Sequence, residues 1–142
     1  MDRVEVEIAR LIKEIDYDEV TRLFGMLSGG KRLRAKLILK IASKHEKAPL
    51  LAAIVELIHA ASLLHDDVID EATLRRGKPS VNATDGSKIA VMLGDVLYSK
   101  AFTELVGFDD EIAKVVASSV TALSKGEMQD VKMAERFNSD EK

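Results

Sequence analysis

Apolar residues recur at helical spacing along almost the whole chain. Val4, Ile8, Leu11, Ile12 and Ile15 fall three or four apart in an otherwise charged segment, which predicts an amphipathic helix from about Asp2 to Ile15. A short second helix is predicted over Asp18 to Leu27. Ser28, Gly29 and Gly30 break the pattern, and a third helix over Lys31 to Glu46 then carries Leu33, Leu37, Ile38 and Ile41 on one side. Pro49 suits a first helical turn, and Leu50 to Leu64 is apolar on nearly every face, as the middle helix of a bundle is. Glu71 to Asp85 holds Gly77, Pro79 and Asn82 and reads as a loop. Helical spacing returns over Ser87 to Val106, and Gly107 stops it. Asp109 or Asp110 can cap a last helix from about Glu111 to Arg136, with Ile112, Val115, Val116, Val120, Leu123 and Met128 as its stripe. The fold class is all-α.

Composition narrows the classes of function. A length of 142 residues suits one domain, and 46% apolar against 32% charged residues is an ordinary globular balance. With 21 Lys and Arg against 24 Asp and Glu, the net charge of -3 gives no general drive toward nucleic acid or an anionic membrane. There is no cysteine, which removes disulfides, thiolate metal sites and Cys nucleophiles together. Met1 is followed by Asp2, Glu5 and Glu7, unlike the basic head of a secretory signal. The longest run free of Lys and Arg that could mimic a membrane span, Leu50 to Leu64, is shorter than about 18 residues and carries Glu56 and His59, so no span is expected. A cytoplasmic location is expected.

The residues that carry chemistry are of opposite charge. In His65-Asp66-Asp67-Val68-Ile69-Asp70, Asp66 and Asp70 are four apart and stack on one helical face. Acids at a helix C-terminus oppose its dipole, and two carboxylates there suit Mg2+, whose shell phosphate oxygens and water complete. The bland alternative is a solvated acidic helix end. In Gly29-Gly30-Lys31-Arg32-Leu33-Arg34 a glycine pair precedes a cationic first turn, a placement that favours a phosphate anion; Lys31 and Arg34 share a face and Arg32 points elsewhere. A solvated basic surface fits the same residues. Arg75-Arg76-Gly77-Lys78-Pro79 is a basic loop just past Asp70, suited to grip a diphosphate or to pair with neighbouring acids. His59 lies seven residues before Asp66 on the same face, as a ligand contact or as a satisfied core histidine.

These segments resemble the trans-type polyprenyl diphosphate synthases, which include farnesyl, geranylgeranyl and octaprenyl diphosphate synthases. The resemblance is carried in order by GGKRLRA, LIHAASLLHDDVIDEATLRRGKPSVN, AVMLGDVLYSKAF and a GE-containing helix near Gly126. It implies an isoprenoid synthase helical bundle and Mg2+-dependent condensation of isopentenyl diphosphate with an allylic diphosphate, through ionisation of the allylic C–O bond, attack by the isopentenyl double bond and loss of a proton. By resemblance, Asp66 and Asp70 are the Mg2+ ligands of the first aspartate-rich motif and Asp67 their supporting acid. Lys31, Arg34, His59 and Arg76 match the isopentenyl diphosphate site, and Arg75 the grip on the allylic diphosphate. Gly126, Glu127, Gln129 and Asp130 fall where the family has a cavity-lining helix. Ala61, with Ser62 beside it, stands where short-chain members have a bulky aromatic, which implies a longer product. The family pattern puts proline where this chain has Ala35.

The family's second aspartate-rich motif and its Lys-Thr pair are absent from the sequence. Residues 1–142 are therefore expected to be the N-terminal part of a polyprenyl synthase domain, ending before that motif and inactive alone. A homodimer, or association through the surface left by the missing half, is expected. One alternative is a non-catalytic helical subunit of a prenyl synthase heteromer. Another is a metal-dependent phosphohydrolase of the HD type, with His65 and Asp66 joined by His45 and by Asp95 or Asp130.

Overall fold

The computed structural model describes residues 1–27 and 30–140, so Ser28 and Gly29 of the predicted break, and Glu141 and Lys142, lie outside the described residues. The described residues form α1 (Asp2–Ile15), α2 (Asp18–Met26), α3 (Leu33–Ile41), α4 (Ala48–Ile69), β1 (Leu74–Arg75), β2 (Lys78–Pro79), α5 (Val81–Asp85), α6 (Ser87–Leu105) and α7 (Asp110–Asp140). The all-α reading holds, with one two-residue hairpin added. The chain divides into two compact units, Met1–Leu105 and Val106–Lys142.

In the first unit α4 is the central helix, packed against α1, α3 and α6. Its Ala52, Ala53, Ile54, Leu57 and Ala61 are fully buried, as are Val4 and Leu11 of α1 and Leu97 of α6. The α1 stripe predicted from the sequence faces this core through Val4, Ile8, Leu11 and Ile12. The apolar run read as ending at Leu64 belongs to a 22-residue helix, because Asp67 is buried and paired and Val68 and Ile69 continue the turn. Length and composition alone would let α4 cross a membrane, which corrects the count that excluded a span; half of its most apolar window is buried inside the fold, as in a core helix.

α3 departs most from the sequence pattern. It begins at Leu33, because Arg32 takes a left-handed conformation (φ 54°), and ends at Ile41, where the polar run Ser43–Lys47 offers nothing to bury. Only Ala35 is buried; Leu33, Leu37 and Ile41 are exposed, since the small Ala35 face, not the leucine stripe, meets α4. Lys31 therefore precedes the helix and does not share a helical face with Arg34.

The segment read as a loop is a hairpin followed by a short helix. Arg76 (φ 53°) and Gly77 (φ 77°) make its two-residue turn, with the two positive φ angles a type I′ turn needs. Arginine is a poor marker for that conformation, so the sequence signal was weak. Neutral hydrogen bonds fasten the hairpin. Ser80 N–H donates to Thr73 O at 3.0 Å, Ser80 Oγ donates to Ala72 O at 2.7 Å, and Asn82 Nδ2 donates to Ala72 O at 2.9 Å and to Asp67 O at 3.3 Å.

In the second unit, Asp109 Oδ1 accepts from Ile112 N–H at 2.9 Å and so supplies the predicted N-terminal cap of α7.

Candidate functional site

A cavity of about 530 Å³ opens between the segment leading into α3, the middle of α4 and the basic hairpin. Lys31, Arg34, His59, Arg75 and Arg76 all line it, together with Glu56 and Asp67. Five side chains separated by up to 45 positions in sequence, all cationic or able to become so, thus meet on one concave surface. Gly30 lets two walls touch, since a Cβ there would stand 3.0 Å from Arg76 Nη1.

His59 is half-buried, and burial pushes its pKa below the usual histidine range; Arg34 adds to that shift, Glu56 opposes it, and Arg76 and Arg75 add smaller contributions in the same direction. The imidazole is thus held toward its neutral form, first by burial and then by the neighbouring Arg34 guanidinium.

α4 ends in a Schellman-type turn. Glu71 is left-handed (φ 55°), its N–H donates to Val68 O at 3.2 Å, and Ala72 N–H donates to Asp67 O at 2.8 Å. Within that turn the three acids part company. Asp67 points into the fold and takes Arg75 with both oxygens, Nε at 2.9 Å and Nη2 at 2.6 Å. Asp66 is half-buried and Asp70 exposed, and both raise the Arg75 pKa through space, after the larger effect of the Asp67 hydrogen bond. Among the described residues, no three His, Asp or Glu side chains converge as a metal cage.

A model of the family described as polyprenyl synthetase matches residues 18–142. The chain belongs to the polyprenyl synthetase family. It is 41% identical over 107 residues to an all-trans-nonaprenyl-diphosphate synthase (geranyl-diphosphate specific) of Rhodobacter capsulatus, covering 71% of this chain and 33% of that protein. It is 33% identical over 142 residues to heptaprenyl diphosphate synthase component 2 of Geobacillus stearothermophilus, covering 95% and 44%. Among solved structures it is similar to the octaprenyl pyrophosphate synthase of Helicobacter pylori, with a TM-score of 0.85, 48% identity, and coverage of 90% of this chain and 44% of that one. The chain spans between a third and a little under half the length of these relatives.

Within this polyprenyl synthetase fold, Ala61 is fully buried, its carbonyl against Gly94 of α6, and Ser62 Oγ donates to His59 O at 2.7 Å. Gly126, Glu127, Gln129 and Asp130 lie on α7, in the second unit. The phosphohydrolase ligand set does not assemble. His65 Nε2 is 3.3 Å from Asp95 Oδ1, but His45 Nδ1 accepts from Lys47 N–H in the turn before α4, and no third ligand joins among the described residues.

The sequence reading missed Glu56 as part of the site. Its signal was present, because it is the one acid in the apolar run Leu50–Leu64. An isolated carboxylate in a core helix has to be paired.

Proposed function

We propose that this chain serves Mg2+-dependent prenyl transfer, the head-to-tail condensation of isopentenyl diphosphate with an allylic diphosphate to give a longer-chain polyprenyl diphosphate. The observation that carries this reading is the convergence of Lys31, Arg34, His59, Arg75 and Arg76 on one cavity beside the acidic end of α4. In this reading Lys31, Arg34, His59 and Arg76 hold the diphosphate of the isopentenyl substrate, and Arg75 faces that of the allylic one. Arginine forks pair with phosphate oxygens in bidentate fashion and fix the two anionic substrates against each other.

The donor chemistry at Asp66 and Asp70 fits Mg2+: two carboxylates one turn apart, with the oxygens of Asp67 already committed to Arg75, leave positions for water and phosphate oxygens. When bound, the metal supplies charge neutralisation for the departing diphosphate. Asp67 acts in support, holding the Arg75 guanidinium in place. Apolar residues of α4 exclude water from the allylic cation. The small Ala61 favours a longer product.

Residues 1–142 are read as the N-terminal part of the synthase domain, so the chain alone is expected not to turn over. Incubation with labelled isopentenyl diphosphate, farnesyl diphosphate and Mg2+ tests this. Binding without turnover is the expected result, and prenyl transfer at ordinary rates by the 142-residue chain would refute the half-domain reading. A second reading, a subunit working with a longer homologous partner, is favoured by the similarity to a synthase component over 95% of this chain. Its test is activity that appears only in a mixture with that partner.

A further inference from the structure

Glu56 is the one acid within the apolar stretch of α4, and its side chain is only 5% exposed. A carboxylate so placed is costly unless its hydrogen-bonding capacity is used. Glu56 Oε1 accepts from the backbone N–H of Ala35 at 3.0 Å. That N–H belongs to the first turn of α3 and has no partner within its own helix. Glu56 Oε2 stands 3.8 Å from Arg32 Nη1, and Arg32 Nε also donates to Glu5 Oε1 of α1 at 2.7 Å.

The segment held in this way carries the diphosphate-facing cations. Arg32 is left-handed, an uncommon conformation for a residue with a Cβ. Two carboxylates from two different helices, Glu5 and Glu56, flank its guanidinium. Lys31 and Arg34, on either side of Arg32 and Leu33, line the cavity. Glu56 also borders that cavity, so its charge by itself repels an anionic ligand.

We propose that Glu56 is a positioning residue: bonding Ala35 N–H and facing Arg32, it anchors the start of α3 so that Lys31 and Arg34 are presented to the diphosphate. The proposal rests on the diphosphate reading of the cavity. Position 35 has to supply an N–H for this anchor, and alanine does so where a proline has none to give.

Calorimetric titration of the 142-residue chain with inorganic pyrophosphate at 25 °C tests it. Glu56→Ala is expected to weaken binding about tenfold, as misplaced binding groups do. Glu56→Gln keeps an oxygen for Ala35 N–H and is expected to bind within about twofold of the parent chain or more tightly. A purely electrostatic Glu56 predicts the opposite for alanine, because deleting a negative charge beside an anion site tightens it. Unchanged or tighter binding by Glu56→Ala overturns the proposal. Where Glu56→Ala does not fold, Glu56→Asp, which keeps the charge but stands one methylene short of Ala35, replaces it and is expected to lose affinity; parent-like binding by that variant overturns the proposal equally. Arg76→Ala separates the two levels. Loss of binding there with no loss in the Glu56 variants refutes the anchor alone, whereas a parent chain that binds no pyrophosphate, or binds it independently of Arg76, refutes the diphosphate reading and the anchor with it.

Discussion

Asp67 and Arg75 are joined twice, Arg75 Nε to Asp67 Oδ2 at 2.9 Å and Nη2 to Oδ1 at 2.6 Å, across the turn that ends α4. The carboxylate is 7% exposed and the guanidinium 33%. Replacing Arg75 by alanine leaves a buried charge without its partner. The expected loss is about 2 kcal/mol, below the ~3–5 kcal/mol of a fully buried pair because Arg75 is a third exposed. Urea denaturation of Arg75→Ala measures it. Adding Asp67→Asn should recover most of the loss, since the stranded charge is then gone.

Gly94 sits where a Cβ would collide with His65 Nε2 and stand 2.5 Å from its Cδ2. The His65 ring cannot swing away freely: Nε2 donates to Val91 O at 3.0 Å, and the ring lies against Tyr98 with centroids 5.5 Å apart and planes tilted by 56°. Gly94→Ala should cost about 1–3 kcal/mol by overpacking, read as a fall in Tm of several degrees. The clash is specific, so His65→Ala in the same chain should restore part of the stability. Additive losses in the double mutant would contradict this account.

His59 titrates below its ordinary value, with burial as the main cause and Arg34 next, Glu56 opposing and Arg76 and Arg75 contributing less. The unfolded chain therefore binds a proton more readily than the folded one. The contribution of His59 to stability is present above the unfolded histidine pKa of about 6.5 and is lost as pH falls from there through the depressed folded pKa. A bound diphosphate reverses the local field, so pyrophosphate should raise the His59 pKa and bind with proton uptake. Following the His59 ring protons by NMR against pH, with and without pyrophosphate, measures both shifts. A His59 titration unmoved by pyrophosphate would place the anion elsewhere.

Asp66 and Asp70 stand at the open end of α4, outside the Asp67–Arg75 pair. Asp70→Ala should leave stability within about 0.5 kcal/mol, as exposed substitutions do. Under the proposed function, the same change should abolish any tightening of pyrophosphate binding by Mg2+. Titrations with and without Mg2+ check this, and an undiminished Mg2+ effect in the Asp66→Ala, Asp70→Ala double mutant would refute a metal role for the pair.

Periodicity located α1 to the residue, because its Val4–Ile12 stripe is both regular in sequence and buried in the fold. It misplaced α3, where Leu33, Leu37 and Ile41 of the predicted stripe are exposed, Ile38 is half-buried and Ala35 alone is fully buried. Spacing rules assume that the larger apolar face is buried, and α3 violates that assumption. The cationic members of the cavity were legible because runs of basic residues beside glycine-bearing turns are a local signal, visible in Lys31, Arg34 and the Arg75-Arg76 pair. What the sequence left open was pairing. Spacing sets Asp66 and Asp70 on one face apart from Asp67, yet it does not show that Asp67 turns inward to Arg75. Such choices depend on which way a helix is rotated in the core, and residue spacing does not encode that rotation.

Beside the Arg75–Asp67 ion pair, the hairpin that carries Arg75 and Arg76 is tied to the end of α4 by uncharged groups: the hydroxyl and N–H of Ser80 and the amide of Asn82 on the carbonyls of Ala72, Thr73 and Asp67. Attraction between exposed charges fades beyond about 8 Å at physiological ionic strength and sooner in stronger salt, whereas short neutral hydrogen bonds are indifferent to it. Concentrated salt should therefore drive an anion out of the cavity while the frame of the hairpin stays in place. The grip and the hand that applies it obey different laws, and only the grip is open to adjustment by the ions of the medium.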